Sequence, residues 1–279
     1  MKTLFLAILF PLVSFGQDAP RLTEALTLHA SFDHGFDADF SRGEKTCRVR
    51  RGKELQAAAQ SEELALVPEA GRYGGAMCFP KKGSVRPQFA GLNVLNYNNS
   101  DWSGTVSVWL RLDPDKDLEP GYCDPVQIVG DDTKKGYIFL EWSKDESPRY
   151  FRYAIRPLFH LWNPTGAQWA DIPFEKRPMV QVQGPVFSRA AWTHVVFSFE
   201  HLNQKNLKPV GKLYINGQAR GAIENWDLMF GWDPARVDLV LGASYVGLMD
   251  DLAVFNRALS DSEITQLYQL RNGVRDLHP

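Results

Sequence analysis

The sequence predicts an all-β fold, a sandwich of two antiparallel sheets with elaborated loops and a short C-terminal helix. Apolar and polar residues alternate along several segments of strand length, of which Thr105–Leu112 and Trp192–Phe199 are the clearest. Turn signals separate these segments, such as Asn216-Gly217 after Lys212–Ile215, a pair typical of a β-hairpin. A chain of 279 residues with 44% apolar residues can bury one large core, and all-β sandwiches often reach this size as one domain.

Residues 1–16 have the pattern of a secretory signal peptide and are set apart from the fold. Lys2 supplies a positive charge, Leu4–Val13 is an apolar segment, and small residues precede a predicted cleavage site before Gln17. This apolar segment is too short to span a bilayer, and no second stretch is long enough to do so. The sequence therefore predicts an exported protein that is secreted, periplasmic or held at the cell surface.

The mature chain is predicted to form one domain. Residues 17–24 form a short N-terminal tail, and residues 25–273 carry the regular pattern of strands and turns. Residues 113–190 are long for sandwich connections and rich in aromatic residues, so we predict an insertion of elaborated loops there. Aromatic density of this kind argues against disorder.

Charge and cysteine content exclude several classes of function. The chain has 31 Lys and Arg against 33 Asp and Glu, a net charge of −2, so neither nucleic acid nor an anionic membrane surface is an expected partner. Three cysteines allow at most one disulfide, and no Cys/His spacing suggests zinc. We expect the cysteines to be small buried residues.

The N-terminal half contains three candidate strands. The first is Leu26–Asp33, in which every second residue is apolar. Residues 43–65 are charged and alanine-rich, and either a short helix or an excursion loop fits them. Gly71–Phe79 is the second candidate. In the third, Thr105–Leu112, four apolar residues face inward and Trp109 faces outward or into a second layer.

The C-terminal segment combines two strands with a helix. Leu239–Leu241 is a short apolar strand, and Met249–Phe255 alternates so that Asp250 shares a face with Leu252 and Val254. The helix has a full start signal, because Ser260 is the N-cap and a glutamate follows three residues later to complete a capping box.

This C-terminal segment resembles the closing signature of the laminin-G-like jelly rolls, which belong to the concanavalin A-like lectin/glucanase superfamily. The resemblance extends over most of residues 25–270 and implies a jelly-roll sandwich of two antiparallel sheets, although a fold does not by itself imply a function. The matching stretches are Ser31–Gly35, Gly71–Phe79, Thr105–Trp109, Trp192–Val195, Gly247–Ser260, Glu263-Ile264 and Leu267-Tyr268.

The aromatic-rich insertion predicts a carbohydrate-binding surface. Sugar rings present apolar C–H faces that stack on exposed aromatic side chains, while nearby amides and carboxylates bond the hydroxyl groups. The candidate ligand-binding residues are Trp142, Trp162, Trp169, Asn163 and Asp171.

The resemblance also implies a structural calcium ion. Asp33 and Asp250 match acidic positions of the family, several members of which bind calcium where these two strands meet. Asp39 is the third candidate ligand, since calcium takes several oxygen ligands. The alternative is that Asp250 accepts hydrogen bonds from backbone N–H groups or pairs with an arginine.

Catalysis receives less support from the sequence. Retaining glycoside hydrolases of this superfamily carry two carboxylates at alternating positions of one strand, and the expected E-x-D-x-x-E pattern is absent. Residues 141–146 come nearest, with the wrong spacing. We therefore predict an exported, non-catalytic, lectin-like protein that binds a glycan or polysaccharide. The alternatives are a structural or adhesive module that binds a protein at the cell surface, and a glycan-active hydrolase or lyase.

Overall fold

The structure is a computed structural model that describes residues 19–52 and 54–278, so the predicted signal peptide lies outside the described residues. The strands are β1 (Leu26–Ala30), β2 (Phe40–Ser41), β3 (Arg48–Arg51), β4 (Glu54–Ala57), β5 (Ala65–Val67), β6 (Ala76–Phe79), β7 (Pro87–Ala90), β8 (Trp102–Arg111), β9 (Asp124–Val129), β10 (Tyr137–Trp142), β11 (Phe151–Arg156), β12 (Met179–Val182), β13 (Thr193–Leu202), β14 (Val210–Ile215), β15 (Gln218–Ile223), β16 (Asp238–Ala243) and β17 (Gly247–Phe255).

Helices are short and few beside the strands. The α-helices are α1 (Ala19–Ala25), α2 (Pro114–Asp117), α3 (Phe159–Trp162) and α4 (Asp261–Gln269). The 3-10 turns lie at Thr133–Lys135, Trp169–Asp171, Phe174–Lys176, Pro234–Arg236 and Gly273–Leu277. Among residues 19–52 and 54–278, no helix has the length and hydropathy needed to cross a membrane.

The strands form two antiparallel sheets that pack face to face, which confirms the predicted sandwich. The first sheet has the order β15-β14-β13-β8-β17-β1-β2, with β6 paired to β17 and β5 to β6. The second sheet has the order β12-β11-β10-β9-β16-β7-β3-β4. The two strands that the sequence marks most clearly, β8 and β13, are neighbours near the centre of the first sheet, with Val108 opposite Val195.

The main core lies between the sheets, because alternate residues of each strand point inward. Val108 and Leu110 of the first sheet and Ile138 and Leu140 of the second are fully buried in this core. The outward-facing Trp109 is buried as well, in a cluster with His194 and Tyr268 whose ring centroids lie 4.8 and 5.7 Å from its own. Trp109 thus occupies the second layer that the sequence allows for it.

Helix α4 forms that second layer on the outer face of the first sheet. The predicted capping box is confirmed, since the Ser260 hydroxyl accepts from the Glu263 N–H and the Glu263 carboxylate accepts from the Ser260 N–H. Ile264 and Leu267 are buried against the sheet. This layer also includes Leu22 of α1 and residues beyond 273. Residues on both sides of the predicted domain, 25–273, therefore pack on the first sheet.

Residues 43–65 form neither a helix nor an excursion loop. They contain the hairpin β3–β4, in which Arg48 lies opposite Ala57, at the edge of the second sheet. Only Val49 of β3 is buried, and all of β4 is exposed. An edge hairpin buries few side chains, so apolar and polar residues need not alternate clearly in its sequence. The pairing of β3 with β7 depends on residues elsewhere in the sheet.

The predicted face of Asp250 is also wrong. Asp251 has a φ of +51°, and the pairing of β17 with β8 shifts register between Asp250 and Ala253. This bulge puts an extra residue into the strand, so Asp250 and Asp251 both point out of the sandwich while Leu252 and Val254 enter the core. Period-2 alternation cannot show a bulge of this kind.

Candidate functional site

Trp142 lies in the core and does not form part of a surface platform. Its side chain is 0% exposed and packs against Phe151, Phe187 and Tyr245 at centroid distances of 4.8, 5.0 and 5.8 Å. Alternation along β10 points Trp142 inward and its neighbour Glu141 outward. The prediction that this ring stacks on a sugar is therefore wrong.

Trp162 and Trp169 do come together, on the excursion between β11 and β12. Both side chains are half-buried, with ring centroids 5.8 Å apart. Two guanidinium groups lie against the Trp169 ring, those of Arg156 at 3.9 Å and Arg177 at 4.2 Å from its centroid. Much of this ring surface is thus already covered by protein.

The two polar candidates beside these tryptophans have different surroundings. The Asn163 side chain is buried and closes a turn, because its amide nitrogen donates to the Ala167 carbonyl and its oxygen accepts from the Ala167 N–H, both at 2.9 Å. Asp171 is exposed at the end of the 3-10 turn that begins at Trp169. Asn163 therefore shapes the excursion, whereas Asp171 is accessible to a ligand.

A ladder of stacked groups connects the tryptophans to the outer face of the second sheet. Arg156 lies over the Phe139 ring at 4.7 Å as well as over Trp169, and Phe139 stacks on Tyr137 with centroids 4.4 Å apart. Guanidinium and aromatic planes stack favourably in this arrangement. The excursion thus connects through this stack to Tyr137, which lines the wall of a cleft.

This cleft, which we call the sheet-face cleft, lies across β7, β16, β9 and β10 and has a volume of about 490 Å³. Such a volume lies in the range of small-molecule sites. Its lining includes Arg50, Arg86, Gln88, Gln127, Tyr137 and Val240. Val240 lies opposite both Gln88 and Gln127 in the sheet, so these three residues form a row across the floor.

Two aspartates hold the amides of the floor in place. The Gln88 amide nitrogen donates to Asp238 at 2.9 Å, and that of Gln127 donates to Asp124 at 2.8 Å. Tyr137 donates to the same oxygen of Asp124 at 2.7 Å. Since each amide turns its NH₂ group towards a carboxylate, its carbonyl oxygen points the other way and is oriented to accept a hydrogen bond.

The carboxylates of Asp124 and Glu141 are near the cleft but do not line it. Burial raises the pKa of Asp124, against the hydrogen bonds from Tyr137 and Gln127. Burial and the nearby Asp124 charge raise the pKa of Glu141 to about 7, although Glu141 pairs with Arg152 at 3.0 Å. Among the described residues that line the cleft there is no carboxylate, so the arrangement offers hydrogen bonds and an aromatic wall but no acid–base pair.

The predicted calcium ligands Asp33 and Asp250 both contact the loop at residues 71–75. Asp250 accepts hydrogen bonds from the N–H groups of Arg72 and Tyr73 at 2.5 and 3.0 Å, and from that of Asp251. Asp33 accepts from the Gly75 N–H at 2.6 Å. Burial and the Asp251 charge raise the pKa of Asp250 to about 7, and the backbone donors oppose this rise.

A positively charged side chain already lies at this junction. The Arg275 guanidinium donates to Asp33 at 2.6 Å and to the Tyr73 carbonyl at 2.5 Å. Asp39 is used elsewhere, because it accepts from the Ser31 N–H at 2.7 Å. Across the part of the chain that the structure describes, no three His, Cys, Asp or Glu side chains group as a metal site.

As arranged, these carboxylates do not fit a shared calcium ion. Calcium needs six to eight oxygen ligands, whereas the carboxylate oxygens of Asp33 and Asp250 already accept hydrogen bonds from backbone N–H groups and a guanidinium. We therefore expect a calcium chelator to leave the melting temperature of the protein within about 1 °C of its value with calcium. A decrease of several degrees, abolished in Asp250→Ala, would instead support the calcium ion that the sequence predicts. Differential scanning calorimetry of both proteins makes this measurement.

Comparison with known proteins agrees with the sandwich of two antiparallel sheets. A family model for a laminin G domain, described as the Concanavalin A-like lectin/glucanases superfamily, matches residues 88–265, which is more than half of the chain. The chain belongs to this family. The match extends from β7 to α4 and so includes the sheet-face cleft from Gln88 onward. No curated protein sequence matches the chain.

Several solved structures have the same concanavalin A-like fold. Domain 4 of a GH43 extracellular arabinanase from Geobacillus stearothermophilus, in complex with arabinotriose, has 21% identity and a TM-score of 0.50, with 88% of this chain and 98% of that domain covered. The receptor binding domain of botulinum neurotoxin D has 12% identity and a TM-score of 0.56, with 89% and 53% covered.

A second serotype D toxin structure, the ligand binding domain in complex with N-acetylneuraminic acid, has 12% identity and a TM-score of 0.53, with 91% and 52% covered. The chain thus spans about half the length of these toxin domains. At such identities the similarity shows the fold alone. Two of these proteins of the same fold were solved with a bound carbohydrate.

Proposed function

We propose that this protein is an exported, non-catalytic carbohydrate-binding protein whose ligand lies in the sheet-face cleft. The observation that carries this proposal is the floor of the cleft, where Gln88 and Gln127 are fixed by Asp238 and Asp124. Binding sites for polar ligands depend on a small number of polar groups that are held in one orientation before the ligand arrives. Oriented amide oxygens suit the hydroxyl groups of a saccharide.

The wall and rim of the cleft complete a site for a sugar ring. One face of Tyr137 stacks on Phe139, and the tyrosine also lines the cleft, where it offers a surface for the C–H face of a sugar. Arg50 and Arg86 are exposed at the rim, where guanidinium groups can donate to hydroxyl or carboxylate oxygens. Binding is favoured over hydrolysis because Asp124 and Glu141 do not line this cleft.

The adhesive alternative receives less support. Few large apolar side chains are exposed among the described residues: Leu55, Leu92, Tyr122, Phe174, Val186 and Leu207. Protein-binding surfaces often present a large exposed apolar patch, and these few side chains offer little area for one. Export is proposed from the signal-peptide pattern of residues 1–16, which predicts a mature chain that begins near Gln17.

The test combines a saccharide screen with two matched variants. The chain from Gln17 is screened on an array of neutral and acidic oligosaccharides, and the dissociation constants of retained saccharides are measured by calorimetry. We expect Tyr137→Ala to weaken binding about five- to thirty-fold, which corresponds to the roughly 1–2 kcal/mol of one aromatic stacking contact. Tyr150→Ala is the control, since Tyr150 is also half-buried near the second sheet but lies under Arg152 and outside the cleft.

Binding in Tyr137→Ala that equals the wild type would exclude the sheet-face cleft as the site. If the wild-type chain binds no saccharide on the array, the proposed carbohydrate-binding function is excluded. Melting temperatures of both variants show whether a loss of binding reflects unfolding.

A further inference from the structure

Trp226 differs from the other seven tryptophans of the chain. Trp102, Trp109, Trp142 and Trp232 are buried, with at most 3% exposure. The half-buried ones carry a guanidinium group, since Arg156 lies over Trp162 and Trp169, and Arg111 lies over Trp192 at 5.0 Å. Trp226 is half-buried and packs against the main core, but within residues 19–52 and 54–278 no aromatic ring or guanidinium group lies against it.

The Trp226 side chain lines a second cleft, which we call the Trp226 cleft, with a volume of about 460 Å³. One wall is the loop between β13 and β14, and the other is the segment that follows β15. Its lining includes Gln204, Lys205, Lys208, Asn225, Trp226 and Asp227. None of its lining residues lines the sheet-face cleft, so the two are separate.

Hydrogen bonds hold the two walls of the Trp226 cleft together. Asn203, which is 4% exposed, accepts from the Phe230 N–H at 2.6 Å through its side chain and donates its own N–H to the Leu228 carbonyl. The Asn203 amide nitrogen also donates to the Asn98 carbonyl at 2.7 Å. Leu228 and Phe230 are buried in the main core. The cleft is therefore formed before any ligand binds, which limits the entropic cost of binding.

We propose that the Trp226 cleft is a second saccharide-binding site of this protein. Trp226 lines the cleft without a stacked ring or guanidinium group, and an indole in this position is suited to stack on the C–H face of a pyranose ring. Asn225, Asp227 and Lys205 also line the cleft, and their amide, carboxylate and ammonium groups can bond the hydroxyl groups on the ring edge. Two sites on one domain raise the affinity for a polysaccharide chain that is long enough to occupy both, because the second binding event becomes intramolecular.

This inference shares its class of ligand with the proposed function but rests on different residues, so one experiment separates them. Native gels measure how strongly soluble polysaccharides retard the wild type, Tyr137→Ala, Trp226→Ala and the double variant. Trp192→Ala is the matched control. The probes are arabinan, xylan, dextran and polygalacturonate. We expect Trp226→Ala to weaken polysaccharide binding about five- to thirty-fold, the double variant to abolish it and Trp192→Ala to leave it unchanged.

A direct readout at the ring comes from fluorine NMR of protein labelled with 5-fluorotryptophan, in which the Trp226 resonance is assigned by its loss in Trp226→Phe. We expect this resonance to shift on addition of the retained polysaccharide. Binding by Trp226→Ala equal to the wild type, or an unmoved Trp226 resonance, would overturn the second site and leave the proposed function standing. If only Trp226→Ala weakens binding, the sheet-face cleft fails and the Trp226 cleft stands. If no polysaccharide retards the wild type, both proposals fail.

Discussion

Replacement of Trp142 by alanine is expected to lower the free energy of unfolding by about 3–5 kcal/mol. The indole is fully buried among Phe151, Phe187 and Tyr245, and its loss leaves a cavity that the surrounding rings can fill only in part. Equilibrium unfolding in urea, followed by circular dichroism, measures the change. The saccharide affinity of the fraction that remains folded should stay close to that of the wild type.

Trp162→Ala is the matched control for this prediction. Trp162 is half-buried on the excursion between β11 and β12, where its contacts are Phe159, Trp169 and Arg156. Its removal is expected to cost about 1 kcal/mol, as for other partly exposed side chains. Equal losses for Trp142→Ala and Trp162→Ala would contradict the placement of Trp142 in the core.

The second large effect concerns Glu263 at the start of α4, where alanine is expected to cost about 2–4 kcal/mol at pH 7. The buried carboxylate accepts from both terminal nitrogens of Arg257 at 2.8 and 2.6 Å and from the Ser260 N–H at 2.8 Å. Its loss removes an ion pair and half of the capping box in one substitution. Urea unfolding at several pH values measures the effect.

The pH dependence gives this prediction a distinct signature. The hydrogen bond from Arg257 lowers the pKa of Glu263 from its ordinary 4.5 to about 2, and hydrogen bonds donated by Ser260 contribute to this decrease. Because the folded pKa is the lower one, the stabilisation is complete above pH 4.5 and is lost as the pH falls from 4.5 towards 2. The difference between the wild type and Glu263→Ala should therefore shrink over this range.

Glu263→Gln separates the charge from the shape of the side chain. Glutamine also serves at the third position of a capping box, so this variant should lose less stability than Glu263→Ala at pH 7. It lacks the carboxylate, so its difference from the wild type should also shrink as the pH falls from 4.5 towards 2. A difference that is constant from pH 7 to pH 2.5 in either variant would contradict the ion pair with Arg257.

The candidate site shows which kinds of feature can be predicted from a single sequence. The excursion at Trp162 and Trp169 was identifiable because aromatic residues are dense in a long connection. Gln88 and Gln127 were missed because they belong to β7 and β9 and become neighbours only through β16, which lies far along the chain. Trp226 was missed because nothing in its local sequence distinguishes an accessible ring from a covered one.

The sequence by itself determined the local features of this protein. Alternation in β8 and β13, the capping box at Ser260 and the resemblance near the C-terminus depend on residues close together in the chain. The structure confirms the strands and the capping box, and the family match confirms the resemblance. Tertiary structure alone decided which tryptophans are buried, and it placed Asp250 outward through the bulge at Asp251. Alternation specifies only which residues share a face, whereas the partner strand, the bulges and the loops that cover a face depend on contacts between residues distant in sequence.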